Sequence, residues 1–307
     1  MKRQLILFLS IVLLFSVSCN NKKNNEETLT LVSYSSFLDE WGAGSEIISA
    51  FEAETSVKVN RINAGTGAEL VTYIKDNYER KNADVVVGIS DDFIDDNLDD
   101  YVENLEAFDY SYYAFLIAKN SKITPPKTLF DLLKPEYNKQ FILIDPRTSS
   151  VGLGLLYWTY SVLGKEGAIE WWKGALDNAL TVASSWSEGY GLFTNGEAPI
   201  VISYYTSPWY DMYNGDEPYA ETLEFEDGHI KCSEYMGVLK NAPNKTNAEK
   251  FIEFMKSEKS QEALSASNVM YPVVNPSFVR INEPKNVVTK IDMNLSDILD
   301  SWSREVL

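Results

Sequence analysis

Three short runs constrain this chain most: Val85-Val-Val87 before Gly88, Phe141-Ile-Leu-Ile144, and Ile200-Val-Ile202 before Ser203, none of which alternates apolar with polar residues. A strand with one wet face alternates, whereas a strand apolar at every position is covered on both faces, as in parallel sheets flanked by helices. Helical spacings separate such runs. Ile47, Ile48 and Phe51 recur at helical intervals within 45–54, residues 68–81 read as helix, and so does the apolar stretch 153–163. Phe251, Ile252, Phe254, Met255, Ala263 and Leu264 predict one more helix over 248–264. With strands at 28–33 and 57–62 and a further start at Tyr112–Ala118, the pattern is α/β layering. It predicts two lobes, 28–110 with 238–307 and 111–237, leaving a cleft at the strand ends where ligands usually sit.

Lys2 and Arg3 precede an apolar run from Leu5 to Phe15, which small residues follow up to Cys19. The run is too short to span a bilayer and reads as a secretion signal, residues 1–18. Cys19 resembles the lipid-modified cysteine of a bacterial lipoprotein, and 19–27 form a polar tether, although Ser16 stands where such signals often carry Leu. Removing the signal takes two basic residues, leaving 25 against 45 acidic ones, a balance of −20. So acidic a chain is a poor partner for nucleic acid or anionic membrane surfaces. With Cys19 lipidated, Cys232 has no partner for an intrachain disulfide.

Catalytic chemistry finds little material. The single histidine, His229, follows Asp227-Gly228 and reads as an exposed turn residue, and no cluster of Cys and His suits zinc. Residues 91–109 hold six aspartates between 91 and 100 without the spacing of a calcium loop, which predicts a solvated, irregular connection. No cofactor is expected, and no metal.

Binding residues are more plentiful. Asp145-Pro-Arg-Thr-Ser-Ser150 ends a strand and opens a helix, so its hydroxyls and free N–H groups suit either a plain N-cap or an anionic ligand group. Trp186 and Tyr190 stand among glycines and serines, and 203–210 pack Tyr204, Tyr205, Trp209 and Tyr210 with three hydroxyl residues beyond a strand end. Aromatic faces there attract flat electron-poor rings and cations. Trp41, Trp158, Trp171 and Trp172 read instead as ordinary core or surface aromatics.

These strings resemble the thiamine-binding proteins of bacterial thiamine ABC transporters. The resemblance covers most of the mature chain through Tyr34-Ser-Ser-Phe37 with Trp41-Gly42, Ala83–Gly88, Phe108–Phe115, Asp145–Ser150 with Gly152-Leu-Gly154, Trp186–Phe193, Ser203–Tyr210 and Met270–Val273. It implies a type II periplasmic-binding-protein fold, two lobes on a hinge, acting as a monomer that captures thiamine or its mono- or diphosphate for a permease and is not an enzyme. Carried over residue by residue, it implies a ligand site of Tyr34, Thr66, Gly67, Ser149, Ser150, Trp186, Tyr204, Tyr205, Thr206, Ser207 and Tyr210. Val269 departs from it, standing where relatives have tryptophan. Two rival functions stay open: a ferric-ion carrier using Tyr204 and Tyr205, and a thiaminase-like enzyme with Cys232 as nucleophile. The protein is expected in the periplasm or at the outer face of the cytoplasmic membrane.

Overall fold

The computed structural model describes residues 27–95 and 97–307. The leader, Cys19 and all of the tether but Glu27 lie outside them. Among the described residues, no helix is long and apolar enough to cross a membrane.

The first half is a sheet of β1 (Thr28–Ser33), β2 (Lys58–Asn63) and β3 (Val85–Ser90), all parallel, with β1 in the middle. α1 (Ser35–Leu38), α2 (Ala43–Thr55) and α3 (Gly67–Asn77) connect them. The apolar run at 85–87 is covered on both sides, as its lack of alternation requires. Val85 and Val87 join a core with Phe51 of α2, and Val86 joins another with Leu70 and Ile74 of α3.

β4 (Val102–Ala118) then runs 17 residues and joins the two halves. Its first part, through Tyr112, pairs antiparallel with a late strand, and its last part, from Tyr113, pairs with the second half's sheet. The second half holds β5 (Phe141–Ile144), α4 (Ser150–Asn178), β6 (Thr181–Ala183), α5 (Trp186–Thr194), β7 (Ile200–Tyr204), α6 (Trp209–Asn214) and β8 (Ala220–Thr222). α4 breaks at Gly164, where φ is +68°, a conformation glycine adopts without strain. Trp158, Trp171 and Trp172 are fully buried along it.

The chain returns through β9 (Lys231–Leu239), which fits between β3 and β4. It continues as α7 (Lys245–Met255), α8 (Glu258–Ala263), a π-helical turn at Leu264–Asn268, and β10 (Tyr271–Pro272). α9 (Leu295–Glu305) ends the fold. The ten strands among the described residues form one sheet, with main order β2-β1-β3-β9-β4-β7-β5-β6.

Four expectations change. The single helix expected over 248–264 is two, α7 and α8, because Ser257 is extended and caps α8 by accepting from Ser260 N. Residues 102–109 are strand, not an irregular solvated link, because β9 pairs with them from Val102 onward. Residues 231–237, expected with 111–237, sit in the first half's sheet, since 234–238 pair with 85–90. Helix α9, expected with 28–110, lies on α4 of the second half: Tyr160 and Ser301 hydroxyls are 3.0 Å apart, and the Trp172 and Trp302 rings meet edge to face at 5.5 Å. A further surprise is His229, which is buried and not exposed. Its Nε2 accepts from Phe225 N (3.1 Å), so Nδ1 donates to Tyr113 O (2.9 Å), and burial holds it neutral.

Candidate functional site

A cavity of about 720 Å³ opens between the two halves. Strand ends and helix starts supply its lining, as in other open α/β sheets.

Tyr34 leaves β1 toward the cavity, and Gly88 makes room for it. Gly88 has φ +96°, and a Cβ there would fall 2.2 Å from the Tyr34 ring. The Tyr34 hydroxyl lies 2.8 Å from Glu234 Oε2 and 3.1 Å from Asn268 Oδ1. Burial, with the Glu234 carboxyl accepting its hydrogen bond, keeps this phenol protonated.

Three helices point their N-termini into the cavity, from Thr66, Ser149 and Ser185. Thr66 spends its hydroxyl on a capping box with Glu69, and Ser185 accepts from Glu188 N at 3.2 Å. Ser149 differs, since its side chain makes no cap bond. Of the three, it alone has its hydroxyl oxygen free to meet a ligand. The first turns of α3 and α4 adjoin across the cleft: a Cβ added at Gly67 would stand 3.8 Å from Ser150 Oγ. N–H groups from both halves of the protein thus converge where an anionic group could be held. Arg147 stays out of this arrangement: it forks onto Asp145 at 2.6 to 3.2 Å and lies over the Trp302 ring, bracing the turn.

The aromatic wall is built around Trp186. Its ring stacks on Tyr190 with centroids 5.1 Å apart, and its Nε1 donates to Ser203 Oγ (2.9 Å), which is 2.9 Å from Ser207 Oγ. Tyr204 continues the wall, stacked on the buried Tyr113 at 5.9 Å, while Tyr210 and Trp41 line the mouth, both about half exposed.

Nine expected residues therefore line one cavity: Tyr34, Thr66, Gly67, Ser149, Ser150, Trp186, Tyr204, Ser207 and Tyr210. Tyr205 and Thr206 do not. Consecutive residues leaving a strand face opposite ways, so Tyr205 turns to Glu224 (2.5 Å) and into a cluster with Tyr112; the chain then turns, and Thr206 is buried against Ser111 Oγ (2.8 Å). In this structure Tyr204 and Tyr205 therefore do not face one cavity, which is what a ferric ion held by both would need. Cys232 faces neither cavity nor solvent. It is buried in β9 opposite Ser111, and burial pushes its thiol well above the ordinary range, the reverse of what a nucleophile needs.

An acidic group absent from the sequence-based expectations also lines the cavity. Glu234 faces the cavity from β9, and Asp109 of β4 lies behind it, fully buried. Asn268 bridges them, its Nδ2 donating to Asp109 Oδ2 (2.5 Å) and lying 3.4 Å from Glu234 Oε2. Burial raises both: Asp109 well above its ordinary range, and Glu234 to about 7. One signal was readable. On β9 the alternate positions Cys232, Met236 and Val238 are apolar and buried, and Glu234 breaks their register. Val269 also lines the cavity, held at φ +59°, an unusual conformation for a β-branched residue.

An aromatic-walled cavity between two α/β halves, with helix starts facing it from both, defines a two-lobed solute receptor. The chain belongs to the family described as bacterial extracellular solute-binding protein, which it matches over residues 42–267. The thiamine-binding periplasmic protein of Escherichia coli is 31% identical to it over 304 residues, covering 90% of this chain and 91% of that one. Its counterpart in Haemophilus influenzae is 31% identical over 303 residues, or 90% of each. A solved structure described as a periplasmic thiamin binding protein superposes with a TM-score of 0.80 at 29% identity, over 91% of this chain and 96% of that one.

Proposed function

We propose that this protein captures thiamine or its phosphate esters outside the cytoplasm and presents them to an ABC permease, acting as a monomer without catalysis. The observation that carries this reading is the cavity's composition. Trp186 with Tyr190 and Tyr204 offers faces for a pyrimidine and a thiazolium, and Ser149 with the first turns of α3 and α4 suits a hydroxyethyl or phosphate end. The relatives that cover nine-tenths of the chain are named for thiamine, which supports the same ligand class. The leader and Cys19 support export and a lipid tether at the outer face of the cytoplasmic membrane.

Calorimetry on the mature chain with thiamine, its monophosphate and its diphosphate tests the reading, which expects binding of at least one form at micromolar concentration or below. Trp186→Ala is expected to weaken every form roughly two- to thirtyfold, the range of a single stacking or cation contact. Ser149→Ala is expected to weaken the phosphorylated forms most. Absence of binding by all three forms overturns the assignment, and equal losses across forms for Ser149→Ala would misplace the phosphate end.

A further inference from the structure

Glu234 and Asp109 pose an electrostatic problem that the protein does not solve by itself. Both are at least nine-tenths buried, they share Asn268 as a donor, and neither forms an ion pair among the described residues. Among the described residues, Asp109 Oδ1 has no hydrogen-bond partner. The groups that face the pair are acids or neutral donors: the phenols of Tyr34 and Tyr204, the Asp91 carboxyl and Asn268. The nearby cations are committed elsewhere. Lys290 pairs with Asp91 (3.1 Å) and Asp92 (2.8 Å), and Lys231 stands 3.8 Å over the Tyr110 ring, on the other side of β9 from Glu234. Two buried carboxylates with one shared donor and no counter-ion do not both ionise.

We infer that Glu234 is the exchangeable counter-charge of the cavity, holding a proton while the cavity is empty and releasing it to solvent when a ligand with a fixed positive charge enters. Asp109, fully buried and without a counter-ion, keeps its own proton, and its Oδ2 accepts from Asn268. The exchange is balanced: one O–H bond breaks at Glu234, the proton goes to buffer, and the cationic ring supplies the positive charge in its place. A neutral ring of the same shape leaves the proton where it was. The cavity thereby selects ligands by fixed charge as well as by flatness. This inference rests on the thiamine reading and concerns the thiazolium in particular.

The test uses unesterified thiamine, because a phosphate ester titrates in the same range. Calorimetry in buffers of different ionisation enthalpy counts protons released per ligand bound. Release is expected to grow toward one as pH falls from about 8 to about 6, with affinity weakening toward tenfold per pH unit at the acid end. An analogue whose thiazolium is replaced by a neutral five-membered ring is expected to bind more weakly, with no proton release and a flat pH profile. Glu234→Gln is expected to remove both release and pH dependence for thiamine. If that variant does not fold, the cationic and neutral ligands compared on the wild-type protein still decide. Thiamine binding with no proton release at any pH overturns the inference while leaving the proposed function standing. If no thiamine form binds at all, the function falls and the inference with it.

Discussion

Glu234 stabilises the empty protein only while it holds its proton. The folded state binds that proton more tightly than an unfolded glutamate does, so its contribution is fully present below the ordinary value of 4.5 and is lost as pH rises through about 7. Glu234→Gln keeps an acceptor for Tyr34 and removes the ionisation. At about pH 8 it is expected to raise ligand-free stability by on the order of 1 to 3 kcal/mol, a gain that shrinks toward pH 5. Urea unfolding at both pH values measures this, and an equal effect at both contradicts the assigned charge state. Such a gain, paired with loss of ligand discrimination, is the usual trade at a binding site. Local sequence displayed the hydroxyls at 149, 150 and 207 and the rings at 186 and 204, because each lies within a few residues of a strand end or helix start. The acidic pair was not displayed: 109, 234 and 268 meet only through the pairing of β4 with β9 and the turn after α8.

The helix over 68–81 was readable as an element, since periodicity and capping are local signals, which the starts of α5 and α9 also carry. Thr66 with Glu69 forms a capping box, and Ser185 and Asn294 cap α5 and α9. Their partners were not readable, and α9 is the clearest case. Its amphipathic pattern demands a neighbour without naming one, and α4 of the second half takes that place through Trp302 against Trp172 and Ser301 beside Tyr160. Trp302→Ala is expected to cost about 3 to 5 kcal/mol by leaving a cavity beside Trp172. A thermal melt measures it, and a change of less than about 1 kcal/mol would mean that α9 is not anchored on α4. β4 teaches the complementary lesson. Its acidic first part looked like a link because charge and irregularity were all the local stretch displayed, whereas a 17-residue strand there depends on β9 as a partner more than 100 residues away.

At the scale of the molecule, the halves are joined three times: by β4 near Tyr112 and Tyr113, by the return at Ile230, whose carbonyl accepts from Tyr113 N, and by the segment before α9. That segment is fastened to both halves. Glu283 accepts from the Tyr110 and Tyr112 hydroxyls (2.7 Å each), Lys290 pairs with Asp91 and Asp92, and Ile291 N donates to Ser161 Oγ (2.8 Å). Such joints permit hinge motion about the cavity, and a ligand touching both halves stabilises the closed arrangement by contacts absent from the open one. Thiamine at about a hundredfold over its Kd is expected to add about 2.7 kcal/mol to unfolding stability, and solution scattering is expected to show a smaller radius of gyration. A scattering profile unchanged at saturation would rule out closure. The sequence by itself determined the α/β layering, most strand positions, the helices α2 and α3, the start of α4 and the chemistry of its first turn, because periodicity and capping act over a few residues. Tertiary structure alone decided that residues 231–237 join the first half and α9 the second, that His229 is buried, that Tyr204 and Tyr205 part company, and that two carboxylates share one amide in the cavity. Those outcomes depend on strand pairing and burial between distant segments, which no local pattern encodes.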